Sequence, residues 1–208
     1  VWVFAKSWTS INYLINYNKA NKLYNQQQLV KALDYYEKCT QIKPREADPY
    51  IRMADIYVIF AQKSKSPVNA ERSLKNAAMQ LNTIIDEHPD YADIDSVIFR
   101  KAWCFYRMGE DVQAVETFDV LPRKYPQSSL ADDALYRIGG VYYRQGDYEK
   151  AIESYNRIGK TYPGTDLKDQ IRFQLGKCQY NLGFYDLARG FFEDVLRDYP
   201  QSSLAERA

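Results

Sequence analysis

The chain has 208 residues, of which 46% are hydrophobic, 15% aromatic and 26% charged, and its formal charge is +1. That size and apolar content suit a well-buried core and exclude a chain that stays solvated. The balanced charge gives no general pull toward nucleic acid or anionic membrane, and no run reaches the roughly 18 apolar residues of a spanning helix.

A single histidine, His88, leaves almost nothing for His-based triads or metal sites, so the composition argues against an enzyme. No cofactor and no metal site are expected. The cysteines, Cys39, Cys104 and Cys178, form no CxxC, and their odd number argues against a disulfide framework.

The chain opens Val-Trp-Val-Phe-Ala-Lys, with no Met and no charged-then-apolar leader, which reads as a processed form or an excised piece. Residues 1–10 read as the tail of an earlier helix, with Trp2, Val3 and Phe4 apolar at that end. Helices are expected near Asn12–Asn25 and Gln28–Ile42, the second carrying Ala32 and Tyr36 ahead of Pro44. A second pair begins at Ala47, with Met53, Ala54 and Tyr57 on its first helix. About eleven extra residues, among them Lys63-Ser64-Lys65-Ser66-Pro67, predict a polar loop over 62–71 before the second helix.

From there the pattern recurs every 37 residues. Pro89, Pro126, Pro163 and Pro200 keep that interval, as do Ala77, Ala114, Ala151 and Ala188, and Leu81, Phe118, Tyr155 and Phe192. Gly109, Gly146 and Gly183 keep it too, and Tyr125, Tyr162 and Tyr199 each precede a phased proline. Within Tyr148–Tyr162, Ile152, Tyr155 and Ile158 make one helical stripe with Ala151, and Leu135, Ile138, Gly139, Tyr142 and Tyr143 make another before it. Gly146 between them suits a positive φ that ends the first helix, and Pro163 stops the second. Small Gly139 and Ala151 let the pair approach closely. Ser129-Leu-Ala-Asp132 and Ser203-Leu-Ala-Glu206 have the pattern of capping boxes opening the following helix. Each copy thus reads helix, glycine turn, helix, proline break.

These residues resemble the tetratricopeptide repeat family, whose unit is about 34 residues. Leu135, Ile138, Gly139, Tyr142, Gly146, Ala151, Tyr155, Ile158 and Pro163 fill its pattern. Phe173, Leu175, Gly176, Gly183, Ala188, Phe192, Val195 and Pro200 fill the next copy, and Ala102, Phe105, Gly109, Ala114, Phe118, Leu121 and Pro126 the preceding one. The first copy departs, with Gln27 at the glycine position and Asn16 where a large apolar residue belongs.

The resemblance implies an all-α solenoid of helical hairpins wound as a right-handed superhelix, a single domain over 1–208. Its repeats fall at about 11–46, 47–91, 92–128, 129–165 and 166–202, and 203–208 opens a further helix: about four repeats and a partial one. The Tyr-Pro-x-Ser-x-x-Ala linkers at Tyr125–Ala131 and Tyr199–Ala205 narrow the resemblance to bacterial envelope proteins. That group includes the Tol–Pal-associated cell-division coordinator and the lipoprotein of the outer-membrane β-barrel assembly machine. A periplasmic or envelope location follows as an expectation.

In this family the first helix of each pair lines the concave side. Tyr17, Ile51, Phe99, Tyr136 and Phe173 form one column there, and Tyr24, Val58, Tyr106, Tyr143 and Tyr180 a second. Arg52, Arg100 and Arg137 share a neighbouring column, and Arg107 and Arg144 another. Tyrosine at both main columns is close to the family pattern and also packs the hairpins. Aromatic and arginine side chains carry disproportionate interface energy, so the expectation is a groove for a protein or peptide partner, with acidic residues favoured. The family's clamp for chaperone tails needs Lys and Asn where this chain has Tyr, Phe, Trp103, Gly140 and Lys177, so that ligand is not expected.

The remaining candidates read as structure. Asp132-Asp133 and Asp93-x-Asp95 sit in first helical turns, where the macrodipole favours carboxylates. His88 reads as a surface linker residue. Cys104 and Cys178 share a column with Val141, and Cys39 one with Ile84, Leu121, Ile158 and Val195, which says core packing. The repeated glycines belong to hairpin turns and form no phosphate loop. The expected function is a non-catalytic protein-binding scaffold in an envelope assembly. The alternatives are a substrate-recruiting or regulatory arm of a larger enzyme, or a repeat that self-assembles through uncapped ends.

Overall fold

A computed structural model describes residues 2–208, with side-chain surroundings from Trp8 onward. The expectation placed on Trp2, Val3 and Phe4 therefore lies outside the described side chains. Among the described residues the chain is helical with no strand, as the repeat predicted, and it forms two compact units, Val1–Glu110 and Asp111–Ala208.

The first unit holds α1 (Trp2–Asn25), α2 (Leu29–Ile42), α3 (Ala47–Lys63), α4 (Pro67–Glu87) and α5 (Ile94–Met108). Here α1 packs on α2, α3 on α4, and α4 on α5. Two readings of the sequence change. Residues 2–10 are the first turns of α1, a continuous helix of 24 residues, and not the tail of an earlier one. The extra residues of the second pair lengthen its helices to 17 and 21 residues, leaving a three-residue joint instead of a long loop. Polar composition hid this, because Ser66 serves as an N-cap, accepting from the Asn69 N–H at 3.4 Å, and Pro67 occupies the first helical turn.

The second unit holds α6 (Asp111–Phe118), α7 (Val120–Lys124), α8 (Ala131–Gln145), α9 (Tyr148–Thr161), α10 (Lys168–Asn181) and α11 (Tyr185–Asp198), then a short 3₁₀ turn, Ala205–Arg207. The break between α6 and α7 falls at Asp119, ahead of Pro122, which has no N–H to offer the Phe118 carbonyl and whose ring crowds it.

Four hairpin turns share one geometry. Gly109, Gly146 and Gly183 have φ of 77°, 80° and 83°, and Gln27 has φ of 59°. At each, the residue after it donates its N–H five positions back (Gln28 to Leu23, Glu110 to Phe105, Asp147 to Tyr142, Phe184 to Gln179), at 2.9–3.0 Å. This is a Schellman closure, in which the left-handed residue turns the last carbonyls back onto the chain. Gln27 accepts the left-handed conformation without the freedom of glycine.

Glycine inside the helices answers a different need. A Cβ on Gly139 would lie 2.6 Å from the Tyr155 ring, and one on Gly176 would lie 2.7 Å from the Phe192 ring. The aromatic of the second helix thus rests directly on the backbone of the first. Tyr36, Phe118 and Tyr155 are almost wholly buried, among the largest core side chains.

The linkers work differently from the expected capping boxes. Neither Ser129 nor Ser203 caps a helix; the residues at the N-caps, Leu130 and Leu204, offer no side-chain acceptor. One residue earlier, the hydroxyls of Ser128, Thr165 and Ser202 accept from the N–H two residues on, at 3.1, 3.2 and 3.2 Å. Thr165 also donates to Asp132 at 2.6 Å, and Ser202 to Asp169. The same two aspartates accept the following backbone N–H at 2.8 Å. Thr165 and Ser202 therefore each tie their own turn to the first turn of the preceding helical pair.

Candidate protein-binding face

The predicted residues sit on the first helices of the pairs, and each unit has its own set. In the first unit, α3 and α5 run side by side. Arg100 of α5 donates to Asp55 of α3, and Arg52 approaches the same carboxylate at 4.0 Å while lying 5.6 Å from the centre of the Tyr24 ring. Arg107 stacks over Trp103 at 4.8 Å. Tyr24, Phe99, Trp103 and Tyr106 are half-buried. Tyr17 is held between Tyr13, stacked at 5.7 Å, and the edge of Tyr36 at 6.0 Å, so it belongs to the packing.

In the second unit, α8 and α10 carry the set. Tyr136 leans on Tyr155 at 5.5 Å, and its hydroxyl accepts from Gln174 at 3.2 Å. Phe173 is buried against Phe192 at 5.6 Å, which removes it from any ligand-facing surface. Tyr143 keeps one face half-open: Lys177 lies 4.3 Å from its ring, Tyr148 meets its edge, and Asn181 donates to its hydroxyl at 3.1 Å. Tyr180 is the most open, 59% exposed, with its edge on Tyr185.

Four of the five arginines have carboxylate partners of their own. Besides the Asp55 pair, Arg137 lies 3.3 Å from Asp133, and Arg144 pairs with Asp111. Burial pushes the Asp133 carboxyl above its ordinary range, and Arg137 opposes that only in part. The exception is Arg107, which makes no ion pair among the described residues and rests on Trp103 alone. Asp55 was not singled out in the sequence, although its place three residues after Arg52 on one helical face is the signal that marks it.

Other candidate chemistry does not assemble. No group of three potential metal ligands occurs among the described residues. The three thiols are fully buried, and burial pushes each up to about 11. His88 is half-buried at the end of α4 beside the linker, and its Nε2 is shielded without a hydrogen-bond partner. A cleft of about 530 Å³ between the short helices α6–α7 and α8–α9 has an ion-pair cluster in its lining: Asp119 accepts from Arg157 at 3.3 Å and lies 2.6 Å from Arg123. No helix is long and apolar enough to cross a membrane among the described residues.

Helical pairs, glycine turns and aromatic-on-glycine contacts recur with one period, and the family model of the tetratricopeptide repeat matches residues 96–128, 133–165 and 170–202. The chain belongs to the tetratricopeptide repeat family. No curated protein matches it in sequence. Tetratricopeptide structures resemble it in fold. A crystal structure of MamA shares 18% identity over 94% of each chain, with a TM-score of 0.64. MamA 41-end from Desulfovibrio magneticus RS-1 shares 14% over 92% of this chain and 97% of that one, with a TM-score of 0.68. YrrB, described as a TPR protein with an unusual peptide-binding site, shares 14% over 92% and 89%, with a TM-score of 0.64. Identities this low carry the fold alone.

Proposed function

We propose that this tetratricopeptide protein is a non-catalytic scaffold that binds a protein or peptide partner on the faces of its first helices. One observation carries the reading. On these helices half-open aromatic rings sit under cations: Tyr24 under Arg52, Trp103 under Arg107, and Tyr143 under Lys177. Rigid aromatic surface, with a polar rim that is largely satisfied already, suits an interface whose gain comes from releasing water rather than from forming buried ion pairs. The description of YrrB as peptide-binding supports the same class of ligand. The Tyr-Pro-x-Ser linkers support an envelope assembly as the setting.

The test is affinity capture with the wild-type chain and with a Tyr106→Ala, Tyr143→Ala, Tyr180→Ala variant whose melting has been matched to it. A partner held by the first and lost by the second is the expected result. Equal capture by both overturns the reading.

A second reading, self-association, is favoured by exposed apolar surface. Trp8, Ile11, Leu14 and Ile15 lie open on α1, as do Phe184, Tyr185 and Leu187 at the start of α11.

A further inference from the structure

We infer that the crevice bounded by α3, α4 and α5 is a socket for one apolar side chain of the partner, and that this anchor is flanked by acidic residues. The inference rests on the protein-binding reading and specifies its ligand in the first unit. Val58, Phe99 and Trp103 wall the crevice, and the fully buried Leu81 and Cys104 lie beneath it. The rim carries the Arg100–Asp55 ion pair. The volume is about 170 Å³, and an apolar cavity of about 150 Å³ accepts benzene. A phenyl or isobutyl group therefore fits.

The lining decides what enters. Below the Arg100–Asp55 pair the walls are Val58, Leu81, Phe99, Trp103 and Cys104, so a water or an amide seated deep in the crevice finds little to bond with. An apolar group loses nothing there and releases that water.

Charge sets the flanks. Asp55 and Val58 on α3 face Arg100 and Trp103 on α5 at equal steps, so these two helices run parallel at this level. Arg52 lies one turn before that level and Arg107 two turns beyond it, both exposed, which puts them about 15 Å apart along the helices at 1.5 Å per residue. Arg52 and Arg100 thus share the Asp55 carboxylate, and Arg107 adds a third cation that has no ion pair among the described residues. An extended segment advances about 3.3 Å per residue, so residues two before and two after the anchor reach the two outer arginines.

The probes are acetyl-Glu-Ala-Phe-Ala-Glu-amide, its counterpart with Ala at the centre, and its counterpart with Lys at both ends. The readout is the Trp103 indole N–H in a ¹⁵N spectrum of the intact chain, which contains three tryptophans. The Glu–Phe–Glu peptide is expected to shift this signal saturably, and each counterpart to bind at least about tenfold more weakly. Val58→Phe, which fills the crevice, and Arg107→Glu, at an exposed position with no ion pair to lose, are each expected to weaken the first peptide by a similar factor. A Trp103 signal that no peptide moves, or that moves equally with all three, overturns the socket. So does unchanged affinity in Arg107→Glu. Those results leave the tyrosine-dependent capture of a partner standing, whereas equal capture by the tyrosine variant removes the wider reading as well.

Discussion

At position 27 a glutamine adopts φ of 59°, a conformation that its equivalents Gly109, Gly146 and Gly183 reach without a Cβ. The left-handed region disfavours side-chain-bearing residues by roughly 1–2 kcal/mol, and the greater freedom of glycine in the unfolded chain returns part of that. Gln27→Gly is therefore expected to stabilise the first unit by about 0.5–1 kcal/mol, read as a higher urea midpoint at unchanged slope. The same substitution at exposed, right-handed Gln26 should not stabilise.

The cysteines give a pH dependence. Burial raises each thiol from its ordinary value of 9.0 to about 11, so the folded chain keeps protons that the unfolded chain releases. Their contribution is complete below pH 9 and is lost as pH rises through 11. Urea midpoints should hold up to about pH 9 and fall beyond it, and a thiol reagent at pH 8 should modify Cys39, Cys104 and Cys178 only on unfolding. A thiol that reacts in the folded chain would contradict its burial.

At the scale of elements, the hydroxyl ties explain why a linker contains Ser or Thr two residues after its proline. Thr165 closes its own turn and holds Asp132 of the preceding pair, at 8% exposure. Thr165→Val keeps the shape and deletes both bonds, leaving a carboxylate short of a partner, and should destabilise by about 1–3 kcal/mol. Thr165→Ser should recover most of the loss, and equal loss in both variants would assign the effect to packing instead. The α6–α7 break has an equally local cause in Pro122. It was missed because a repeat pattern shows where helices recur, and says nothing of one copy whose backbone is interrupted.

For the molecule as a whole, the exposed apolar residues at α1 and α11 pose the question of what covers them. Helix α1 carries three lysines and no acidic residue, whereas α11 carries four acidic residues against two arginines. Faces of opposite charge that each expose apolar surface are able to meet between copies. If they do, sedimentation velocity should show mass rising with concentration, and Ile15→Lys with Leu187→Lys should abolish the rise. A single concentration-independent monomer in the wild type would end the self-association reading without touching the binding face.

Much of this was legible from residue spacing alone. Phased Pro, Gly and Ala mark helix ends and close contacts because few residue types tolerate a positive φ, a missing donor or an approach such as Tyr155 on Gly139, so the amino-acid order by itself determined an all-α repeat. The cysteine columns declared burial for the same reason, by sharing positions with Val, Ile and Leu. Tertiary structure alone decided which arginines were already spoken for. Arg100 finds Asp55 forty-five positions earlier, and Arg144 finds Asp111 thirty-three positions earlier; periodicity aligns equivalent residues and cannot show which unlike ones meet across helices. It likewise decided that Phe173 is buried while Tyr180 is open, and that Val58, Phe99 and Trp103 enclose a crevice, since those outcomes depend on how neighbouring helices close over each side chain.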